Sequence, residues 1–382
     1  MKKIIHHISL SEIGGVQQSF PPFYINTRKE GKYSHSIYST VEIDKQYPSL
    51  PDFHNISTSV INKIRFLYYL HSKKCILHSY NVIGGKNMFN LLNRFPFNKV
   101  LLHERGNAWN ISKEEVKRYI INANKADLVL ANSVATKQYL IQRFGLEERK
   151  VKVLLNGFLP SNFQIDRPKK SDKIKKVGFI ARLETPKGCH IFIEAARMLQ
   201  NRSDLVFEIA GDGTLYSDLK EQALDLDNVL FLGRVSAPLK FIASLDLLVV
   251  PSIREPLGNV LIEAGFCKTP VIASRVDGIP EVITNGESGV LLNPKNKLTI
   301  KNISIGSVPI PECTYNPITN LITRDIKEID ALELSQSISD LIDDEEAKKK
   351  FVNNLYKHVV ENFSLERYSK DLNKFYEKVF SD

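Results

Sequence analysis

Apolar residues fall in short runs separated by polar turns along most of this chain. In the first half, KKIIHHIS, KCILHSY, KVLLHER and ADLVLANS are runs of this kind with turn-like ends, the pattern of strands buried on both faces. GGVQQSFPPFYINTRK reads as a turn and helix after the first run, and KEEVKRYIINANK as an amphipathic helix between two later ones. Strand–helix alternation predicts a parallel α/β sheet.

The pattern breaks near Asn156-Gly157, where FLPSNFQIDRPKKSDK is polar, charged and proline-bearing and reads as a linker. Alternation then restarts. KKVGFIARL, LVFEIAGDG, NVLFLG, DLLVVPS and PVIASR are predicted strands; CHIFIEAARMLQ, LYSDLKEQALDL, APLKFIASL and NVLIEAGFCK are predicted helices. A second doubly wound domain follows, and ligands of such sheets bind beyond the carboxyl ends of the strands. Residues 296–330 fit neither pattern and read as a long excursion, a candidate lid. From Ala331 the tail is helical. Its last stretch, LERYSKDLNKFYEKVF, sets Leu365, Tyr368, Leu372, Phe375, Tyr376 and Phe380 near helical spacing.

Composition agrees with two cores: 382 residues, 43% hydrophobic, with no repeat or low-complexity tract. Cys75, Cys189, Cys267 and Cys313 are far apart and read as reduced core residues of a cytoplasmic protein. The opening MKKIIHHISL has too short an apolar segment for a secretory signal, and no run approaches the roughly 20 apolar residues of a spanning helix. The net charge of +9 suits nucleic acid, an anionic membrane or a phosphorylated substrate, and equally a solvated basic surface.

Four stretches carry candidate chemistry. In REPLGNVLIEAG, Pro256 suits a first helical turn, Gly258 permits close approach to the backbone, and a helix N-terminus would seat a phosphate. Glu255 would hold sugar hydroxyls and Glu263, roughly 12 Å along a helix, a ribose; an acidic helix start with an unrelated second acid is the alternative. In GFIARLETPKG, Arg182 and Lys187 follow a strand and can grip a diphosphate, or be ordinary loop charges. Gly14 and Gly15 open a helix after the first strand, either facing an anion or making a tight turn. LLHERGNAWN puts His103, Glu104, Arg105 and Trp109 after a strand, as a cleft-facing loop or around a satisfied histidine. Gly211 of AGDG shapes the site or turns the chain.

Together, Gly14-Gly15, Arg182 with Lys187, and Glu255-x-Leu257-Gly258-x4-Glu263 resemble the retaining glycosyltransferases of group 1, family 4 type, with the GT-B fold. AGDG, FLGRV, VVPSIREPLG and VDGIPEVITNGESGVLL are similar to the same family, most strongly from Val177 to Leu292. The 296–330 segment departs from its pattern. The resemblance implies two Rossmann-like domains facing across a cleft: 1–165 for the acceptor, 166–360 for a nucleotide-sugar, and 361–382 as a helix crossing back. Arg182 and Lys187 would stabilise the departing diphosphate, Glu255 contact the sugar and Glu263 the ribose. Leu257, Gly258 and Gly211 would line the donor site, Gly15 and Gly14 approach the phosphates, and His103 approach the transferred sugar. No cofactor or metal is implied; a UDP-sugar would be the substrate.

The expected reaction is sugar transfer to a glycan or lipid-linked acceptor, in bacterial lipopolysaccharide, capsule or other surface polysaccharide synthesis. His6, His7, Lys63, Arg65, Lys73 and Lys74 are candidate contacts to an anionic acceptor or membrane. NKIRFLYYLHSKK reads either as an interfacial helix on the inner membrane face or as ordinary packing on the sheet. A sugar-nucleotide epimerase, a phosphorylase and a non-catalytic binding subunit are the competing readings. No RNA-binding aromatic motif or zinc knuckle supports a nucleic-acid partner.

Overall fold

The computed structural model describes residues 2–10, 15–44, 50–81, 90, 99–159, 173–299 and 310–381. The chain forms two compact units, Met1–Leu159 with Phe363–Asp382, and Pro160–Asn362.

The first unit is built on β1 (Lys3–His7), β2 (Ser34–Ser39), β3 (Phe53–Asn55), β4 (Cys75–Tyr80), β5 (Val100–Glu104), β6 (Leu128–Ala131) and β7 (Val151–Val153). All pairings are parallel, in the order β3-β2-β1-β4-β5-β6-β7. The apolar runs become strands because both faces of a parallel sheet are covered; β4, β5 and β6 are buried at every residue. Helix Leu365–Ser381 packs on this sheet through Leu365, Tyr368, Leu372, Tyr376 and Val379, with Phe375 and Phe380 at the margin.

That core holds an uncommon polar layer. His6 and His78 are register partners across β1 and β4. His6 Nε2 shares a hydrogen bond of 2.9 Å with His35 Nδ1, and His6 Nδ1 one of 3.1 Å with the Tyr80 hydroxyl. His78 is bonded to Tyr80 at 3.0 Å, to Tyr376 at 2.6 Å and to His103 at 3.2 Å. Buried imidazoles survive by bonding to one another and by staying neutral. Burial holds the pKa of His6, His78 and His103 well below the usual value, and that of His35 at about 4. His6 is fully buried, so it is a core residue rather than the acceptor contact expected from the sequence; a side chain on a strand covered on both faces has no route to solvent.

The second unit carries β8 (Lys175–Ile180), β9 (Leu205–Ala210), β10 (Val229–Gly233), β11 (Leu247–Val250), β12 (Val271–Ser274) and β13 (Val290–Leu292), again all parallel. Its order is β10-β9-β8-β11-β12-β13. The order reverses between β8 and β11, and the crevice at such a switch point is where ligands of open α/β sheets bind.

The described part of the 296–330 excursion contains two small antiparallel pairs. β14 (Asn296–Lys297) pairs with β17 (Lys327–Glu328), and β15 (Thr314–Asn316) with β16 (Leu321–Thr323). The linker expected at 158–173 falls mostly outside the described residues. All four cysteines are buried, and none is in a disulfide among the described residues. Among the described residues no helix is long and apolar enough to cross a membrane.

Candidate active site

Four loops leave the carboxyl ends of β8, β9, β11 and β12, and glycines let them press together. A Cβ on Gly211, at φ +144°, would lie 1.9 Å from the Ala181 carbonyl oxygen. One on Gly188 would lie 2.0 Å from the Pro251 oxygen, and one on Gly278 2.1 Å from the Pro256 oxygen. A carbonyl oxygen cannot yield as a flexible side chain can, so these contacts exist only without a Cβ. Gly211, expected as a ligand contact, thus has a structural task as well: it seats the turn beside Arg182.

The β8 loop runs from exposed Arg182 into a short 3-10 turn, Thr185–Lys187. Its Pro186 carbonyl accepts the N–H groups of Ile253 and Arg254 from the β11 loop. Those bonds bring Lys187 against Glu255, with Nζ donating to Oε2 at 2.6 Å. Both side chains are mostly shielded, at 24% and 12% exposure, so the pair is less screened than a surface ion pair.

The helix after Glu255 is Asn259–Phe266, capped by Gly258 at φ +90°. Pro256 therefore lies in the loop and not in the first turn as the sequence suggested: a left-handed residue at 258 sets the start of the helix at Asn259. The expected helical span from Glu255 to Glu263 is replaced by a loop followed by one turn. Gly258 still neighbours the acid, since a Cβ there would be 3.4 Å from Glu255 Cγ. The helix's leading N–H groups have no partner within the helix and carry its partial positive charge.

Glu263 sits in the middle of that helix, half-buried, and burial pushes its carboxyl up to about 7. Leu257, expected in the donor site, is only 2% exposed; its apolar side chain turns into the core and leaves only backbone to meet a ligand.

One residue escaped the sequence reading. Asp277, in the loop after β12, is buried at φ +46°. Its Oδ2 accepts the Glu255 backbone N–H at 2.8 Å, and its Oδ1 accepts that of Tyr315 at 2.7 Å. Its own N–H donates to the Tyr315 carbonyl at 3.1 Å. One carboxylate thus joins the β15–β16 hairpin of the excursion to the backbone of Glu255. Burial raises its pKa to about 7, against the two N–H donors and nearby Arg254, which lower it. An Asp-Gly pair signals a turn, but nothing in the local sequence signals its partner 38 residues on.

Of the other expected site residues, Gly15 begins helix Gly15–Glu30 in the first unit, and Gly14 lies outside the described residues. His103 belongs to the first unit too. It was expected in a polar loop after a strand, but it is inside β5 and fully buried. Its Nδ1 is bonded to His78, and its Nε2 has no hydrogen-bond partner among the described residues. Glu104 is structural: it accepts the Gly106 and Ala108 N–H groups and the Tyr119 hydroxyl.

Known proteins resemble this chain in sequence and fold. Residues 161–303 match the family described as glycosyl transferases group 1. An uncharacterized glycosyltransferase of Methanocaldococcus jannaschii is 32% identical over 184 residues, 44% of this chain and 47% of that protein. The capsular polysaccharide biosynthesis glycosyltransferase CapM of Staphylococcus aureus is 28% identical over 43% of this chain and 47% of its own. The matches span about half the length of these curated relatives. The Anabaena protein HepE, solved in complex with UDP and glucose, superposes with a TM-score of 0.71 at 18% identity, covering 99% of this chain and all of that one. The fold class expected from the sequence, GT-B with two Rossmann-like units, is the one observed. The match to the group 1 glycosyl transferase family covers the greater part of the second unit.

Proposed function

We propose that this protein is a retaining glycosyltransferase that moves a sugar from a nucleotide-sugar, a UDP-sugar first, to a glycan or lipid-linked acceptor in surface polysaccharide synthesis. The family match of the second unit, a capsular relative and a UDP-bound structural neighbour support this reading. The observation that carries it is the Lys187–Glu255 pair, 2.6 Å apart, at the point where the strand order reverses.

The chemistry follows from charge. Transfer breaks the bond between the anomeric carbon and a diphosphate oxygen, and the bonding pair leaves with the diphosphate. The acceptor oxygen bonds to the anomeric carbon and gives up its proton to the departing diphosphate. Negative charge grows on the leaving group, so fixed cations aimed at it lower the barrier more than they bind the ground state. Arg182, Lys187 and the Asn259 helix terminus take that role, and no metal is assigned. Glu255, held by Lys187, directs its second oxygen to sugar hydroxyls; Glu263 takes the ribose. Action at an inner membrane face remains in the reading, while His103, fully buried inside β5, takes no part in it. Anomeric retention enters through the family likeness alone.

The test is release of free UDP from a panel of UDP-sugars. Lys187→Ala and Glu255→Gln are each expected to lower turnover about a hundredfold or more, with the melting temperature nearly unchanged. Loss of folding in both variants would make the pair structural, and unchanged turnover in folded variants would remove it from the reaction.

A further inference from the structure

Helix Val60–Leu70 has two apolar faces, and the sheet needs only one. Phe66 and Leu70 are buried, Phe66 lying 5.1 Å from the Tyr38 ring and 6.2 Å from that of His7. On the opposite side Val60, Ile61, Ile64 and Tyr68 recur at helical spacing, and they are 71%, 64%, 62% and 71% exposed. Single exposed apolar residues are ordinary; a stripe of four large ones on one helix face is not. The segment therefore packs on the sheet through one face and leaves a second apolar face exposed.

The charge around the stripe is one-sided. Lys63, Arg65, Lys73 and Lys74 are exposed along the helix and just past it. From Phe53 to His103 the sequence contains no aspartate or glutamate. A stripe meant for a second copy of this chain would bring those cations against their own images. A stripe meant for an anionic surface gains from each of them.

We infer that Val60, Ile61, Ile64 and Tyr68, framed by Lys63, Arg65, Lys73 and Lys74, form a docking surface for an anionic lipid bilayer. The helix lies in the plane of the headgroups. Its aliphatic side chains enter the acyl boundary, the Tyr68 hydroxyl stays at headgroup level, and the cations meet lipid phosphates. This goes beyond the transfer reaction and does not depend on it, since lipid binding is measured without donor or acceptor.

The test is co-sedimentation of the full chain with vesicles of phosphatidylcholine alone or with about a third phosphatidylglycerol. The wild type is expected to pellet with the anionic vesicles and not the neutral ones. Raising salt from about 0.1 M to about 1 M should release it, because the screening length falls from about 10 Å to about 3 Å. Ile61→Asp with Ile64→Asp should cut binding at least about tenfold, and Lys63→Glu or Arg65→Glu about fivefold or more each. All four positions are exposed, so circular dichroism and melting temperature should not move, and UDP binding in the second unit should stay intact. Failure of the wild type to pellet with anionic vesicles at low salt would overturn the inference. So would a concentration-dependent dimer that the Ile61→Asp, Ile64→Asp variant abolishes while vesicle binding is absent or unchanged. If UDP release is absent but vesicle binding follows this pattern, the transfer reading fails and the lipid surface stands.

Discussion

Asp277 occupies a left-handed conformation that few side chains tolerate, and it is one of the few residue types that can. Its two oxygens serve two different loops, so replacing it by asparagine leaves one acceptor where two N–H groups need one each. Asp277→Asn is expected to cost about 1–3 kcal/mol, the penalty of an unpaired buried donor. It should appear as a lower denaturation midpoint and weaker nucleotide-sugar binding, because the backbone of Glu255 loses its anchor. An unchanged midpoint would show that the carboxylate does not join the hairpin to the site. Lys187 and Glu255 differ in kind: their side chains face one another at the mouth of the site, and their loss should fall on turnover before stability.

At the scale of elements, the loops of the second unit stand or fall together. Gly211→Ala would drive a methyl group into the Ala181 carbonyl oxygen at an unfavourable φ, at an expected cost of about 3 kcal/mol or more. Gly286→Ala is the control. It also has positive φ, but nothing lies within 4 Å of the added carbon, so only the conformational cost of about 1–2 kcal/mol applies. Equal midpoints for the two variants, by chemical denaturation, would mean that the close approach at Ala181 relaxes freely. Much at this scale was legible in the sequence. KKVGFIARL and DLLVVPS announce β8 and β11 because a strand covered on both faces must be apolar throughout, and the charged residues that follow them then fall at the ligand edge of the sheet. Pro256 points to a helix start there, but the left-handed Gly258 delays the helix to Asn259. The β15–β16 hairpin has no regular signature in the sequence, since it is held by a bond to Asp277 that no local pattern carries.

For the whole molecule, acid is expected to act on the two units in opposite senses. In the first, His6, His35, His78 and His103 are neutral in the fold with pKa values below the ordinary 6.5. A lowered folded pKa gives stability that is present above the unfolded value and is lost as pH falls from about 6.5 through the folded values. For His35, at about 4, the loss amounts to about 3 kcal/mol. In the second unit Glu263 and Asp277 titrate near 7, well above their ordinary values, so protonation relieves a penalty over the same fall in pH. Glu104, also raised, works against these histidines in the first unit, to which His7, at about 4, and His54 add in the same sense. Amide exchange followed from pH 7 to about 4 should show protection lost in β1, β4 and β5 relative to β8, β11 and β12. A uniform loss would contradict the neutral histidine layer. That layer was invisible in the sequence: four histidines spread over a hundred residues become neighbours only through strand register.

The central claim is that the loops after β8 and β11 receive the diphosphate of a nucleotide-sugar. The most direct measurement is a crystal structure of the protein with UDP. The account places the β-phosphate within hydrogen-bonding distance of Arg182 and Lys187, near the N-terminus of helix Asn259–Phe266, with the ribose toward Glu263. UDP bound elsewhere, with Arg182 and Lys187 turned to solvent, would contradict it.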